Sequence, residues 1–305
     1  MANSVSILII SFNRPDDLLE LLESLATQKN LDSLEETLIL DNASTISYQP
    51  VIDFISSHSL LKANFIRRQE NLGVARGRNL LMAKAKGNTL LVLDDDMVFC
   101  TENDFEKLSS LLEKPFFKNA NTAIVTPKII YAENKQVQVA AFPHKKLKEY
   151  GDKPQFLTSY FTGCAHLIKK EVLEKTGLYP ADFFYGMEEY DLSYRIINAG
   201  YTIGYDNEVT LMHKESVQGR QANYQKLKMQ WINKSKVSWR YLPFIYFNIT
   251  AIAWSFEYLL KAKGHLGTYF GAWKQVFKIP FKEQKNKISK EALSYLKKVE
   301  ARLWY

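Results

Sequence analysis

Residues 89–98 read TLLVLDDDMV, a continuous apolar run that ends in three aspartates. A run without polar alternation suits a strand covered on both faces, as in a parallel sheet. Ligands of open α/β sheets lie beyond the carboxyl ends of the strands, which puts Asp94, Asp95 and Asp96 at a binding edge. Three adjacent carboxylates repel one another, and a divalent cation that prefers oxygen ligands would relieve that cost. A solvated turn is the bland alternative, and the buried strand before the triplet weighs against it.

Outward from this stretch the same pattern repeats. Val5–Ile10 is a second continuous β-branched run, followed by Asn13 as a prospective helix cap, Pro15 in the first turn, and Leu18, Leu21, Leu22 and Leu25 at helical spacing. Thr37–Leu40 reads as a strand running into Asp41 and Asn64–Arg67 as a weaker one, with Arg67 and Arg68 as strand-end or surface charges. Residues 73–86 read as a helix stopped by Gly87. Strands alternating with helices imply an open, mostly parallel α/β sheet. Further on, Ala123–Ile130 is a strand, residues 135–155 a polar, lysine-rich loop or flap, and Leu157–Ile168 a return to the sheet past Gly163. Glu189–Ala199 is a helix closed by Gly200, and Thr202–Tyr205 a strand. Glu188, Glu189 and Asp191 open that helix, where acids complement the helix dipole with no catalytic purpose, and Asp191 and Arg195 suit an ordinary i,i+4 pair.

The 305 residues allow one sizeable α/β core with an extension, and 46% hydrophobic against 24% charged residues is ordinary globular usage. The net charge of +7 is unevenly placed. Residues 261–305 hold eleven Lys/Arg against three Glu, a net of +8, so residues 1–260 stand at −1. A core without clustered cations excludes nucleic acid as the expected partner and points to an anionic surface meeting the C-terminus. Two cysteines at no metal-ligand spacing fit a reducing cytoplasm. The N-terminus lacks the features of a secretory signal and reads as a first buried strand.

Several segments, in order, resemble the GT-A glycosyltransferases of family 2: SILIISFNRPDDLLELLESL, LILDNAST, ENLGVARGRN, LLVLDDDMV, YFTGCAHLIKKEVLEKTGLYP, FFYGMEEYDLSYRIINAGY and VTLMH. Together they cover about residues 4–215. The resemblance implies a GT-A fold, Rossmann-like with helices flanking a mostly parallel open sheet, and an inverting, metal-dependent enzyme. That enzyme would move a sugar from a nucleotide-diphosphate donor to a hydroxyl acceptor. It makes Asp41 a partner of the nucleobase with Ser11 and Asn13 in the same pocket, and puts Arg76, Arg78 and Asn79 near the donor, although the family does not require an arginine at Arg76. Asp96 would be the principal ligand of Mn²⁺ or Mg²⁺, Asp94 would contact the donor ribose or the metal through water, and Asp95 would fill the variable place between them. His213 would complete the metal site, the alternative being a structural histidine. Glu189 aligns with the catalytic base and Glu188 is the runner-up, where relatives carry Glu-Asp or Asp-Asp. Phe183, Phe184 and Tyr185 offer a sugar face or, alternatively, core packing. The competing functions are a sugar-phosphate nucleotidyltransferase, which SFNRPDDL argues against because no Gly-rich phosphate loop follows the first strand, and a non-catalytic nucleotide-binding protein.

These readings divide the chain into a catalytic domain, residues 1–215, and a helical, basic extension, residues 216–305. Tyr241–Leu260 is nearly uncharged, but Pro243, Asn248 and Glu257 favour an interfacial segment over a membrane span. Packing on the core or in a homodimer is the alternative. The expected setting is bacterial cell-surface glycan assembly on a glycan or lipid-linked glycan acceptor, by a cytoplasmic protein peripheral at the inner face of the membrane.

Overall fold

A computed structural model describes residues 3–216, 223–262 and 264–303. The chain opens with β1 (Val5–Ser11), α1 (Pro15–Ala26), β2 (Leu34–Asp41), α2 (Gln49–Ser57), β3 (Ala63–Arg67), α3 (Gly73–Lys84), β4 (Thr89–Asp94) and a short β5 (Met97–Phe99). It continues through α4 (Asp104–Ser110), α5 (Pro115–Asn119), β6 (Thr122–Tyr131), α6 (Leu147–Tyr150), β7 (Gln155–Thr158), β8 (Ala165–Lys169), α7 (Lys170–Thr176), α8 (Glu188–Asn198) and β9 (Thr202–His213). The C-terminal helices are α9 (Asn223–Tyr241), α10 (Phe244–Lys261), α11 (Leu266–Val276), α12 (Ile279–Lys282) and α13 (Lys290–Lys298).

The strands form one sheet in the order β3-β2-β1-β4-β8-β6-β9-β5, with β7 also paired to β9. The β3-β2-β1-β4 half is parallel, and β8 enters antiparallel between β4 and β6. Apolar runs on β1 and β4 are buried on both faces, as their lack of alternation requires. Leu18, Leu21, Leu22 and Leu25 of α1 are wholly buried. At about 1.5–3 kcal/mol for each such side chain, their burial is what holds this 12-residue helix, which would be marginal alone.

The strand expected at Thr202–Tyr205 runs on to His213. Its register against β6 shifts after Asp206, so its first half pairs β7 and its second half β5. That extension sets His213 opposite Met97, directly after the aspartates. Leu157–Ile168 divides into two strands, β7 and β8, separated by residues 159–164.

Three local expectations are corrected. Asn13 does not cap α1: its backbone is left-handed (φ 57°), and its side-chain oxygen accepts from Thr45 N at 2.8 Å, tying the first turn to the loop after β2. Gly87 does not stop α3, which ends at Lys84. It lies where a Cβ would overlap the backbone of Ser4 and Ser6, so glycine is needed for close approach to β1. Residues 135–155 are a packed segment rather than a flap, since Phe142 and Tyr150 close an aromatic cluster with Phe156 and Tyr205.

The C-terminal helices join the fold in two ways. Val237, Tyr241, Ile288, Ala292 and Leu296 enter the core that also holds Leu192 and Ile196 of α8. The rest of α9 with α10, α11 and α12 builds a second cluster around Trp231, which is wholly buried. Among the described residues, no helix is long and apolar enough to cross a membrane.

Candidate active site

The C-terminal ends of β1, β2 and β4 open into a cleft of about 320 Å³, within the size range of small-ligand sites. The three aspartates line it together with Ile10, Arg14, Asn42, Asn71 and His213.

Asp94, the last residue of β4, is partly exposed and takes a hydrogen bond from Arg78 Nη2 at 2.9 Å. Asp95 is buried and pairs with Arg14 Nη1 at 3.0 Å; burial pushes its carboxyl up to about 7 against the pull of Arg14. Asp96 is buried, with Oδ2 accepting from Ser216 N at 2.9 Å. Its Oδ1 has no hydrogen-bond partner and faces His213 Nε2 at 3.1 Å. Burial disfavours the Asp96 carboxylate, yet His213, Arg14 and the Ser216 amide together hold its carboxyl below the usual range.

These residues fit a divalent cation. One ligand atom each from Asp94, Asp96 and His213 lie within 4.8 Å of one another, and Asp96 Oδ1 is an orphaned buried acceptor among them. His213 Nδ1 lies 2.8 Å from Gln138 Oε1, so the Nδ1–H tautomer would donate there and turn the Nε2 lone pair toward the acids, the outer-shell support that metal-bound histidines use. Burial lowers the imidazole's basicity, but Asp96 and Cys164 outweigh it and raise its pKa to about 11. A protonated His213 pairs with Asp96, and a cation bound there would have to displace that proton.

Arg78, only 3% exposed, joins this edge to α8. Besides Asp94, its guanidinium donates to Gly163 O at 2.8 Å and to Glu189 Oε1 at 3.1 Å, with Glu188 Oε1 at 3.8 Å. Burial opposes its charge, but Asp94, Tyr179, Glu189 and Glu188 keep it protonated. Burial raises both carboxyls; the charge of Glu189 pushes Glu188 further, to about 8, that of Asp94 adds to Glu189, and Arg78 opposes in each case. Glu188 Oε2 is buried without a donor. Two consecutive left-handed residues, Gly186 (φ 81°) and Met187 (φ 73°), turn the chain into α8 so that both acids fall in its first turn. Asn233 of α9 holds that turn by donating to the carbonyls of Tyr185 and Gly186. A Cβ at Gly163 would overlap Glu189 Oε1, so the carboxylate rests against bare backbone.

The remaining candidates are distributed around this cluster. Ser11 shares a 2.6 Å hydrogen bond with Tyr48 Oη and supports the ionised Asp95. Asp41 is wholly buried, accepts from Ser44 N at 2.9 Å and meets Arg67 Nε at 3.3 Å, so Arg67 is more than a surface charge. Asn13 braces the loop that carries Ser44 and Thr45. Arg76 is exposed and folds back onto Leu72 O, while Asn79 exchanges two hydrogen bonds with the Tyr179 backbone, and neither lines the cleft. Asp191 is bound by Arg195, Arg240 and Tyr241. Phe183 is wholly buried in the core, whereas Phe184 and Tyr185 line the cleft. Arg14 and Gln138 were not found by sequence reasoning. An arginine inside SFNRP and a glutamine in a polar stretch carry no local signal for carboxylate or histidine partners 81 and 75 positions away.

Solved structures share this fold. The chain matches GalNAc-T7, solved with UDP, GalNAc and Mn²⁺, at TM-score 0.66 and 16% identity over 93% of its own length and 55% of that chain. It matches the Pyrobaculum calidifontis mannosyltransferase PcManGT, solved with GDP-Man and Mn²⁺, at TM-score 0.57 and 17% identity, covering 99% of this chain and 85% of the other. Staphylococcus aureus TarS 1–349 in complex with UDP-GlcNAc gives TM-score 0.61 at 12% identity, over 99% and 89%. Among curated sequences, an uncharacterized Haemophilus influenzae protein is 32% identical over 182 residues, 58% of this chain and 94% of the relative. The uncharacterized Bacillus subtilis glycosyltransferase YwdF is 29% identical over 122 residues, 40% and 43% of the two chains. With strands ending in acids, an aspartate-histidine cluster at the sheet edge, and the model of glycosyl transferase family 2 matching residues 6–177, this chain belongs to that family.

Proposed function

We propose that this glycosyltransferase binds a nucleotide-diphospho-sugar in the cleft at the β1/β4 edge and transfers the sugar, with inversion, to a hydroxyl of a glycan or lipid-linked glycan at the bacterial cell surface. The observation that carries this reading is Arg78, which bridges the acid at the end of β4 to the acid that opens α8. Asp94, Asp96 and His213 would hold Mn²⁺ or Mg²⁺, and when bound such an ion stabilises charge on a departing diphosphate. Asp41, with Ser11 and Asn13 ordering its surroundings, serves the nucleobase. Arg14 neutralises Asp95 and Asp96 from within. Glu189 takes the proton of the acceptor hydroxyl as that oxygen attacks the anomeric carbon from the face opposite the leaving diphosphate. Arg78 and the Gly163 backbone hold Glu189 in place for that step, and burial keeps its carboxyl above the ordinary carboxylate range, which suits a base near neutrality. The Mn²⁺ in the GalNAc-T7 and PcManGT structures supports the choice of cation.

Residues 1–215 form the catalytic unit in this reading and residues 216–305 a membrane-facing extension. Among the described residues, eleven exposed large hydrophobics run from Phe244 to Phe281, including Ile245, Ile249, Ile252, Phe256 and Phe270. The first four of these five recur at helical spacing along α10. Further along the sequence Lys274, Lys278 and Lys282 follow at four-residue intervals, and apolar residues with nearby cations suit an anionic lipid surface. The enzyme would then work peripherally at the inner face of the cell membrane.

A panel of nucleotide sugars assayed for donor hydrolysis, with Mn²⁺, with Mg²⁺ and with EDTA, tests the central reading. Release of nucleoside diphosphate from one donor class, abolished by EDTA, is expected. Hydrolysis of none of them, or turnover indifferent to chelation, would reject it.

A further inference from the structure

Residues 277–282 read FKIPFK, a phenylalanine followed by a lysine and repeated four positions on. The backbone makes one helical turn here, with Lys282 N donating to Lys278 O at 3.1 Å, so the two lysines share one side of the turn and the two phenylalanines share another. Ile279, between them, is buried in the cluster around Trp231. Between this turn and α9 lies a second cavity, of about 210 Å³. Ile232 and Ile279 are its buried floor, Lys236 and Glu283 its half-buried wall, and Gln275, Lys278 and Lys282 its exposed rim. It is smaller than the ~300–1,000 Å³ of pockets that take drug-sized ligands, and suits a single small headgroup.

The wall is balanced in charge. Lys236 Nζ meets Asp182 Oδ2 at 2.6 Å and Glu283 Oε1 at 3.4 Å, and Glu283 Oε2 accepts from Arg240 Nε at 2.9 Å and Nη2 at 2.6 Å. The rim is not: among the described residues neither Lys278 nor Lys282 forms an ion pair. Like charges four positions apart in a helical turn destabilise it. Cations beyond a helix C-terminus complement its dipole, which accounts for Lys278 after the end of α11. That account does not reach Lys282, a turn further on, or the cavity beside both. An oxyanion of about two negative charges, the charge of a phosphate monoester near neutral pH, matches the two rim lysines. Phe277 and Phe281, 67% and 90% exposed, flank the same rim, where acyl chains next to a bound headgroup would cover them.

We propose that this cavity binds a phosphate monoester, with Lys278 and Lys282 on its oxygens, Gln275 beside them, and Ile232 and Ile279 against the carbons of the ester. The phosphate belongs either to the headgroup of an anionic lipid or to a soluble ester, and Phe277 and Phe281 favour the lipid. For the lipid source the site rests on the membrane-facing reading of the extension and deepens it, from a diffuse attraction to recognition of one headgroup chemistry.

The test mixes the full chain, in EDTA, with phosphatidylcholine vesicles carrying either phosphatidate or oleate and adjusted to the same surface potential. Glycerol 3-phosphate is titrated separately by calorimetry. Diffuse attraction follows the surface potential alone, so a preference for phosphatidate reports the site. Wild type is expected to bind the phosphatidate vesicles about tenfold or more tightly, the scale of one charge-assisted hydrogen bond. Lys278→Met with Lys282→Met should abolish that preference. Lys297→Met with Lys298→Met removes the same charge from α13, away from the cavity, and should keep it. All four lysines are exposed, and circular dichroism checks that both double variants fold. A preference lost only on changing Lys278 and Lys282 assigns a lipid headgroup. Glycerol 3-phosphate binding lost only in that variant, with no preference between vesicles, assigns a soluble ester. Wild type that neither prefers phosphatidate nor binds glycerol 3-phosphate, or two double variants that behave alike, overturns the site. Flotation with the oleate vesicles reads the membrane-facing role without the site, so failure of one registers separately from failure of the other.

Discussion

Asp96 and Glu189 face different demands at the two ends of the Arg78 bridge. The Asp96 carboxylate is buried, with Oδ1 facing His213 and Oδ2 accepting from Arg14 Nη1 and Ser216 N. Asp96→Ala should remove metal-dependent nucleoside-diphosphate binding, read by calorimetry with Mn²⁺, while the circular dichroism spectrum stays that of wild type. Unchanged binding would take Asp96 out of the metal site. Glu189→Gln keeps size and helix position but cannot accept a proton, so turnover should fall ~10²–10⁴-fold with donor affinity little changed. The pH profile adds a directional check. Burial raises the Glu189 carboxyl, so the base gains its active, ionised form as pH climbs through a range above that of an ordinary carboxylate, and kcat/KM should rise there. Glu188 stays protonated in that range and does not set the Glu189 carboxyl, so Glu188→Gln should leave the rising limb in place, whereas Glu189→Gln should abolish it. A limb that persists in Glu189→Gln contradicts the assignment of Glu189 as the titrating base.

At the scale of elements, α8 is held from behind as well as positioned in front. Asp191, one turn from the start of the helix, is buried against Arg195 at 2.9 Å, Arg240 Nη1 at 2.8 Å and Tyr241 Oη at 3.0 Å. A helix-dipole role explains an acid in this turn but not why α9 brings an arginine and a tyrosine to it. Asp191→Ala would leave the Arg240 and Arg195 charges under-compensated, and breaking a buried pair from one side costs about 3–5 kcal/mol. Urea unfolding should show that loss as a lower midpoint with the slope retained. A change under 1 kcal/mol would mean the joint between α8 and α9 is held by apolar packing alone.

For the whole molecule, the proposed membrane-facing role of the exposed apolar residues can be tested directly. Removing the C-terminal segment would be a poor test, because Tyr241 and the α13 side chains belong to the catalytic core. Substitutions on the exposed face are cleaner: Ile249→Asp with Phe256→Asp leaves the buried side of α10 intact. Wild type should float with anionic liposomes at low salt and detach as salt rises, by up to ~1 kcal/mol for each lysine at the surface. The double variant should remain in the soluble fraction with unchanged donor hydrolysis. If wild type fails to float, the face is covered by a second copy of the chain or by another partner, and analytical centrifugation would show which.

The alternation of strands and helices, the leucine face of α1, the aspartates at the edge of β4 and the acids opening α8 could all be read without coordinates. Burial on two faces and helical periodicity are written in neighbouring residues. Only the tertiary structure decided which charges meet. Asn13 left its expected capping role because the loop after β2 offers it Thr45, and residues 135–155 became packed because Phe156 and Tyr205 give their aromatic side chains partners. Arg14 with Asp95, Gln138 with His213, Arg78 with Glu189 and Lys234 with Tyr190 are separated by 44 to 111 positions along the chain. Sheet register and helix docking bring them together, and no local pattern encodes the direction in which a guanidinium, an amide or an ammonium will find its partner.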